Sequence, residues 1–149
     1  MTKIKMYEII PGRLYQRGEF RKFPMEVKEA ELGTKNITMI ANLYIHRDEQ
    51  LYQREPYFYW HYPIPDNKLT PRQKEDLLEY SSVFVNGIRD GQVALVHCHA
   101  GRNRSALFST LIVMRLLEMN AEQAIEYVRT KRPNSLANPN FVEWLMEMK

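Results

Sequence analysis

The sequence predicts an α/β fold in one domain spanning residues 1–149, with a central, mostly parallel sheet of four to five strands flanked by helices. Three observations predict it. Short apolar runs alternate along the chain with longer segments that open on helix-capping residues, the pattern of strands alternating with helices. No internal repeat, linker or low-complexity tract divides the chain. A length of 149 residues suits one domain and buries roughly two-thirds of the unfolded surface.

The elements follow in order. Lys3 to Ile10 alternates loosely and stops at the turn signal Pro11-Gly12, and Leu14 to Arg17 forms a second short strand. Met25 to Leu32 reads as a short helix with Gly33 at its C′ position. Ile37 to Leu43 is apolar and partly β-branched, a buried strand, and the charged stretch His46 to Glu55 is an exposed connection, with Asp48 in it a solvated side chain. Tyr57 to Pro63 is an aromatic strand. Thr70-Pro71-Arg72-Gln73 combines an N-cap, a first-turn proline and the third residue of a capping box, and starts a helix running to about Gly87. Asp90-Gly91 is a turn, Gln92 to His97 a strand, and Ser105 to Glu118 a long, mostly apolar helix with Leu107, Leu111 and Met114 on its core face. Asn120 caps a helix over Ala121 to Arg129, and Asn138-Pro139 opens a last one through Met148.

Composition excludes several classes. One cysteine forms no internal disulfide and builds no multi-thiolate zinc site. Lys+Arg is 21 and Asp+Glu 18, and a net charge of +3 is too small to mark a nucleic-acid binder, so no stable nucleic-acid binding is expected. The longest nearly apolar stretch, Ala106 to Met114, is far short of the roughly 18 residues of a membrane span, and the N-terminus lacks the apolar core of a signal peptide. A small monomer in the reducing cytoplasm, with no cofactor and no metal, is the expectation.

The informative stretch is Val96-His97-Cys98-His99-Ala100-Gly101-Arg102-Asn103-Arg104-Ser105, where an apolar strand meets an apolar helix. A loop bent onto a helix N-terminus aims several backbone N–H groups at one spot, which suits a phosphate dianion. His99, Ala100, Gly101, Arg102 and Asn103 form that loop, and Arg104 adds a planar, two-pronged donor matched to phosphate oxygens. Cys98 at the rim of such a cradle is stabilised as thiolate. Gly101 lets the backbone approach closely. Ser105 brings a hydroxyl within reach of the sulfur, where it helps a thiolate leave. His97 is expected to orient the loop by hydrogen bonding. Asp66 is the one aspartate in a proline-bracketed loop after a strand, Asp90 being explained by its turn and Asp76 by its helix.

These residues resemble the signature of the cysteine-dependent phosphatases, His-Cys-x5-Arg-Ser/Thr, and the HCxAGxxRS form resembles the dual-specificity branch. Tyr62-Pro63-Ile64-Pro65-Asp66 is similar to that branch's general-acid loop. Arg132-Pro133 with Asn138-Pro139-Asn140-Phe141 and Leu145 is similar to its C-terminal segment, and Pro11 to Tyr15 and Ile37 to Leu43 to its first strands. The resemblance implies that Cys98 attacks phosphorus, that Arg104 and the loop amides hold the phosphoryl oxygens, and that Asp66 protonates the leaving oxygen and then helps water hydrolyse the intermediate. It implies a phosphorylated protein or other phosphomonoester as substrate. The basic pair His99 and Arg102 departs from protein-directed relatives and looks more like those acting on phosphoinositides or phosphatidylglycerophosphate, while Asn103-Arg104 resembles the RNA 5′-triphosphatase relatives.

Competing readings start from the same residues. A lone cysteine after an apolar strand is ordinarily a small buried hydrophobe. His97, Cys98 and His99 could begin a metal cluster if His46 or His61 joined them. A phosphate-binding module without turnover and a rhodanese-like sulfur transferase are the remaining alternatives. Arg89, Lys131 and Arg132 either extend a basic rim or are ordinary surface charge.

Overall fold

The computed structural model describes residues 3–148. Ten elements follow one another: β1 (Tyr7–Ile10), β2 (Leu14–Arg17), α1 (Met25–Thr34), β3 (Ile37–Asn42), β4 (Phe58–His61), α2 (Pro71–Arg89), β5 (Val93–His97), α3 (Arg104–Leu116), α4 (Ala121–Lys131) and α5 (Pro139–Glu147). They build a five-stranded sheet in the order β1-β2-β5-β3-β4. Only the β1–β2 hairpin at the edge is antiparallel. The other pairings are parallel, so the four strands β2, β5, β3 and β4 end on the same side of the molecule. Their register places Arg17, His97, Asn42 and His61 in one row across that end.

Strand alternation divides the core in two. On β5, Ala94 and Val96 face one side and Val93 and Leu95 the other, with every residue of the strand buried. The first side packs against α2, α3, α4 and α5 through Leu77, Phe84, Leu107, Leu111, Ala124, Val128, Phe141 and Leu145. The second is covered by α1 and the N-terminal segment through Ile4, Phe20 and Leu32. Helix α3 lies deepest. Residues 105–113 are all buried, the polar Ser105, Ser109 and Thr110 among them, so this stretch runs inside the core.

Helix starts match the capping chemistry. Thr70 and Asn120 both complete reciprocal capping boxes, with Gln73 and Gln123 respectively, and Asn138 accepts the amide of Asn140 at the head of α5. Boundaries moved elsewhere. The first strand begins at Tyr7 rather than Lys3. Gly33 lies inside α1, and Asn36, at φ +59°, takes the left-handed position beyond its end. Asparagine tolerates that conformation, so the helix keeps two more residues than the glycine rule allows.

The connection after β3 is not simply exposed. Leu51 is buried, and Asp48, expected to be solvated, is 3% exposed and pairs with Lys28 of α1, which is 0% exposed, at 2.8 Å. The Lys28 ammonium also donates to the carbonyl of Arg21 and to Gln50 Oε1. Asp48 receives the amide of Gln50, and Tyr59 Oη accepts the amide of Asp48. Two buried charges are tolerable because their remaining valences are filled. A cluster of charges in sequence hides this pair, since only folding reveals which of them finds a partner. Replacing Lys28 with Met leaves the Asp48 carboxylate buried without its counter-ion and should cost about 3–5 kcal/mol, read as a lowered urea midpoint.

Candidate active site

The loop between β5 and α3 turns on backbone against backbone. Gly101 has φ +72°, and a Cβ there would sit 2.6 Å from the carbonyl carbon of Arg17 and 2.7 Å from the nitrogen of Gly18. At Gly18 an added Cβ would meet the carbonyl oxygen of His99 at 2.6 Å. Two chain segments thus cross where neither tolerates a side chain.

The crossing fixes where the loop carbonyls point. The His97 carbonyl accepts the amide of Leu43, that of His99 the amide of Glu19, that of Gly101 the side-chain amide of Gln16, and that of Arg102 the amide of Leu136. Arg132 reaches the Ala100 carbonyl at 3.5 Å. With its acceptors tied to surrounding segments, the loop keeps its donors on the opposite side. The amides of residues 99–103 donate to no acceptor among the described residues. The result is a nest of N–H groups at the head of α3, a ready seat for an anion.

Cys98 lies at the base of the nest. It is 2% exposed, and its side chain packs with the α2–α5 side of the core. The sulfur is not enclosed by hydrocarbon alone, because Ser105 Oγ lies 3.3 Å away. Arg104 opens α3 and donates from Nη1 to the Ile64 carbonyl at 3.3 Å, and its guanidinium sits 5.7 Å from the centre of the Tyr44 ring. Asp66 follows on the segment beginning at Ile64. Asn103 Nδ2 donates to its Oδ2 at 3.0 Å and Asn138 Nδ2 to its Oδ1 at 2.9 Å. The fold therefore brings Cys98, Arg104, Ser105 and Asp66 around one loop, although Asp66 is thirty-two positions before the cysteine in sequence.

The remaining side chains around the loop point in separate directions. The His97 ring is buried at the end of β5. Strand alternation turns it to the α1 side, where it packs edge-on against Phe20 at 4.9 Å. The His97 carbonyl braces the loop by accepting the amide of Leu43. The Asn103 side chain points out of the nest to Asp66 and to the amides of Ala137 and Asn138. Arg102 likewise turns outward, its Nε donating to the Asn134 carbonyl at 3.3 Å. His99 is exposed and stacks on Tyr44 at 5.0 Å, so His97 and His99 diverge and no metal cluster forms from them. Among the described residues no group of three His, Cys, Asp or Glu side chains is placed to hold a metal ion.

Of the basic residues weighed as a rim, Arg132 alone lies against the loop, its guanidinium 4.7 Å from the centre of the Tyr7 ring. Arg89 binds the Arg115 carbonyl at the far end of α2, and Lys131 lies over Tyr127. Sequence reasoning missed Gln16, Gly18 and Tyr44. Gln16 left a signal, a polar residue at an inward strand position. Gly18 and Tyr44 left none, because their neighbours come from distant segments.

Residues 22–149 match the family described as "Dual specificity phosphatase, catalytic domain". The MAP kinase phosphatase with leucine-rich repeats protein 3 of Dictyostelium discoideum is 31% identical over 97 residues, which cover 62% of this chain and 11% of that protein. Tyrosine-protein phosphatase vhp-1 of Caenorhabditis elegans is 28% identical over 123 residues, 80% of this chain and 18% of that one. The chain spans less than a fifth of either relative. Human DUSP28 superposes with a TM-score of 0.79 at 20% identity, covering 99% of this chain and 95% of that one, a likeness of fold. The human tyrosine phosphatase-like serine/threonine/tyrosine-interacting protein superposes with a TM-score of 0.77 at 25% identity, covering 95% of this chain and 93% of that one.

Burial holds the His97 imidazole neutral and lowers its pKa from 6.5 to about 3, with the Arg17 charge acting in the same direction. The unfolded chain binds a proton there near pH 6.5 and the native chain does not until about pH 3. Stability is therefore full above about pH 6.5 and falls as the pH drops through that window, by up to about 1.4 kcal/mol per pH unit from this one group. Denaturant midpoints measured from pH 7 to pH 4 should show this slope, and His97→Phe should flatten it.

Proposed function

The chain belongs to the dual specificity phosphatase catalytic-domain family, and from that premise we propose that residues 1–149 form a cysteine-dependent phosphatase domain acting on phosphomonoesters of proteins, phosphotyrosine and phosphoserine or phosphothreonine. One observation carries the reading. The loop carbonyls of residues 97 and 99–102 are all tied outward, which leaves a nest of amides above a cysteine whose sulfur contacts a hydroxyl.

The steps follow from these positions. Loop amides and the Arg104 guanidinium hold the non-bridging phosphoryl oxygens and neutralise their charge. The Cys98 thiolate supplies the electron pair for a new S–P bond while the ester O–P bond breaks. The leaving oxygen takes the proton of the Asp66 carboxyl, which becomes a carboxylate. In the second half Asp66 accepts a proton from water, the water oxygen bonds phosphorus and the S–P bond breaks. The Ser105 hydroxyl, 3.3 Å from the sulfur, donates to the thiolate and so aids its departure. Splitting one displacement into two lets one loop serve both halves, because the phosphoryl group stays in the same nest.

The outward Arg102, with Arg132 beside the loop, favours a second reading of the same chemistry. Their guanidiniums supply charge where a substrate with more than one phosphate would place its further anions. A third reading, binding without turnover, keeps the nest and drops the displacement.

Aryl phosphates test these readings directly. Cys98→Ser should lower turnover by more than about a thousandfold while the fold is kept. Retention of full activity by that variant defeats the proposal, and phosphate binding without any product in the native chain favours the binding module. Asp66→Asn should slow phenyl phosphate, with its poor leaving group, by roughly a hundredfold and 4-nitrophenyl phosphate far less. Arg102→Ala should weaken a polyphosphorylated inositol substrate by about tenfold while sparing aryl phosphates, since only the former places charge against it. Equal losses on both assign Arg102 to the scaffold.

A further inference from the structure

The geometry points to Asn103 and Asn138 as a pair of positioning residues that clamp Asp66 over the loop, an inference that rests on the phosphatase reading above. Four observations carry it.

Asn103 occupies the N-cap of α3 and yet makes no side-chain cap to that helix. Asparagine is preferred at that position because its oxygen satisfies a first-turn amide. Here the oxygen instead accepts the amides of Ala137 at 2.7 Å and Asn138 at 3.1 Å. The diversion keeps the first amides of α3 for the nest and spends the side chain on the segment before α5.

Those two bonds also fix the direction of the Asn103 amide. Backbone N–H groups can meet only its oxygen, so its nitrogen must face away, and it donates to Asp66 Oδ2 at 3.0 Å. Asn138 is fixed in the same manner. Its oxygen accepts the Asn140 amide at 2.9 Å as the cap of α5, and its nitrogen donates to Asp66 Oδ1 at 2.9 Å. Each carboxyl oxygen thus receives one amide hydrogen from a group that cannot flip.

The donors come from independent elements. Asn103 sits at the head of α3 and Asn138 at the head of α5, and the amide of Asn138 bonds to Asn103. The triangle closes on itself, so the acid segment is held at its tip rather than only at its base, where Arg104 bonds the Ile64 carbonyl. Both donors are neutral. They hold the carboxyl group in place in either protonation state, since each oxygen keeps a lone pair free to accept. A Lys or Arg in their place would pin the ionised form and work against proton donation. The job of the pair is to aim a proton, and its loss should register only where a proton is needed.

Leaving-group dependence reads that property. Asn138→Ser keeps an oxygen to cap α5 but is too short to reach Asp66, and an unchanged thermal midpoint confirms that the fold is intact. With phenyl phosphate kcat should fall by about tenfold, and with 4-nitrophenyl phosphate by less than about twofold, because general acid assistance is worth most to a poor leaving group. In an Asp66→Asn background the same substitution should add nothing to the phenyl phosphate loss. Equal losses on both substrates, no loss on either, or an additive loss in the double variant overturns the clamp. If Asp66→Asn is selective for phenyl phosphate while Asn138→Ser is not, the clamp alone fails. If Asp66→Asn shows no selectivity, the acid assignment falls and takes the clamp with it, and the Cys98→Ser result still stands by itself.

Discussion

The close approach of the Arg17–Gly18 backbone to the turn at Gly101 is the constraint on which the site depends. A buried carbonyl without a donor costs about 1–3 kcal/mol, so a loop packed against a strand end must find donors for its oxygens. Gln16, Glu19, Leu43 and Leu136 supply them from three separate segments. Once the oxygens are committed outward, the amides can only face the other way. The anion seat is therefore a consequence of packing the outside of the loop.

The sheet makes that packing possible. Three parallel pairings set Arg17, His97, Asn42 and His61 in one row, so each strand releases its following segment at the same end. Ligands of such sheets sit beyond the carboxyl ends of the strands for the same reason. After β3, Asn42 turns the chain by accepting the Tyr44 amide and donating to the His46 carbonyl, and Lys28 anchors the following residues through Asp48. Tyr44 is thereby held where it can stack on His99 and lie beside Arg104. The buried ion pair contributes to the site without touching it, by removing freedom from the segment that carries this aromatic side chain.

Much of this was legible in the residues. The capping boxes at Thr70 and Asn120 are local, each needing only a residue and its neighbour three positions on, and they start helices where the pattern says they do. The Cys98 loop is also local, since the glycine, arginine and serine that shape it are adjacent in sequence. What stayed hidden depends on partners far along the chain. Lys28 and Asp48 look like surface charge until α1 closes over the connection after β3. His97 looks like a loop residue until alternation along β5 turns its ring toward Phe20. Asn138 reads correctly as a cap, but a cap uses only its oxygen, and nothing local announces the use of its nitrogen.

A loop whose amides face inward must send its side chains outward, and this division decides what each loop position can do. The backbone of residues 99–103 forms the seat whatever the side chains are, provided Gly101 stays bare. The side chains are then free for separate tasks. His99 packs on Tyr44, Arg102 meets the Asn134 carbonyl, and Asn103 holds the acid segment. Backbone and side chains of the same few residues thus face different sides of the loop. That separation lets a short loop vary at His99, Arg102 and Asn103 without dismantling its nest of amides, so any difference in charge between such loops is confined to the rim around those side chains.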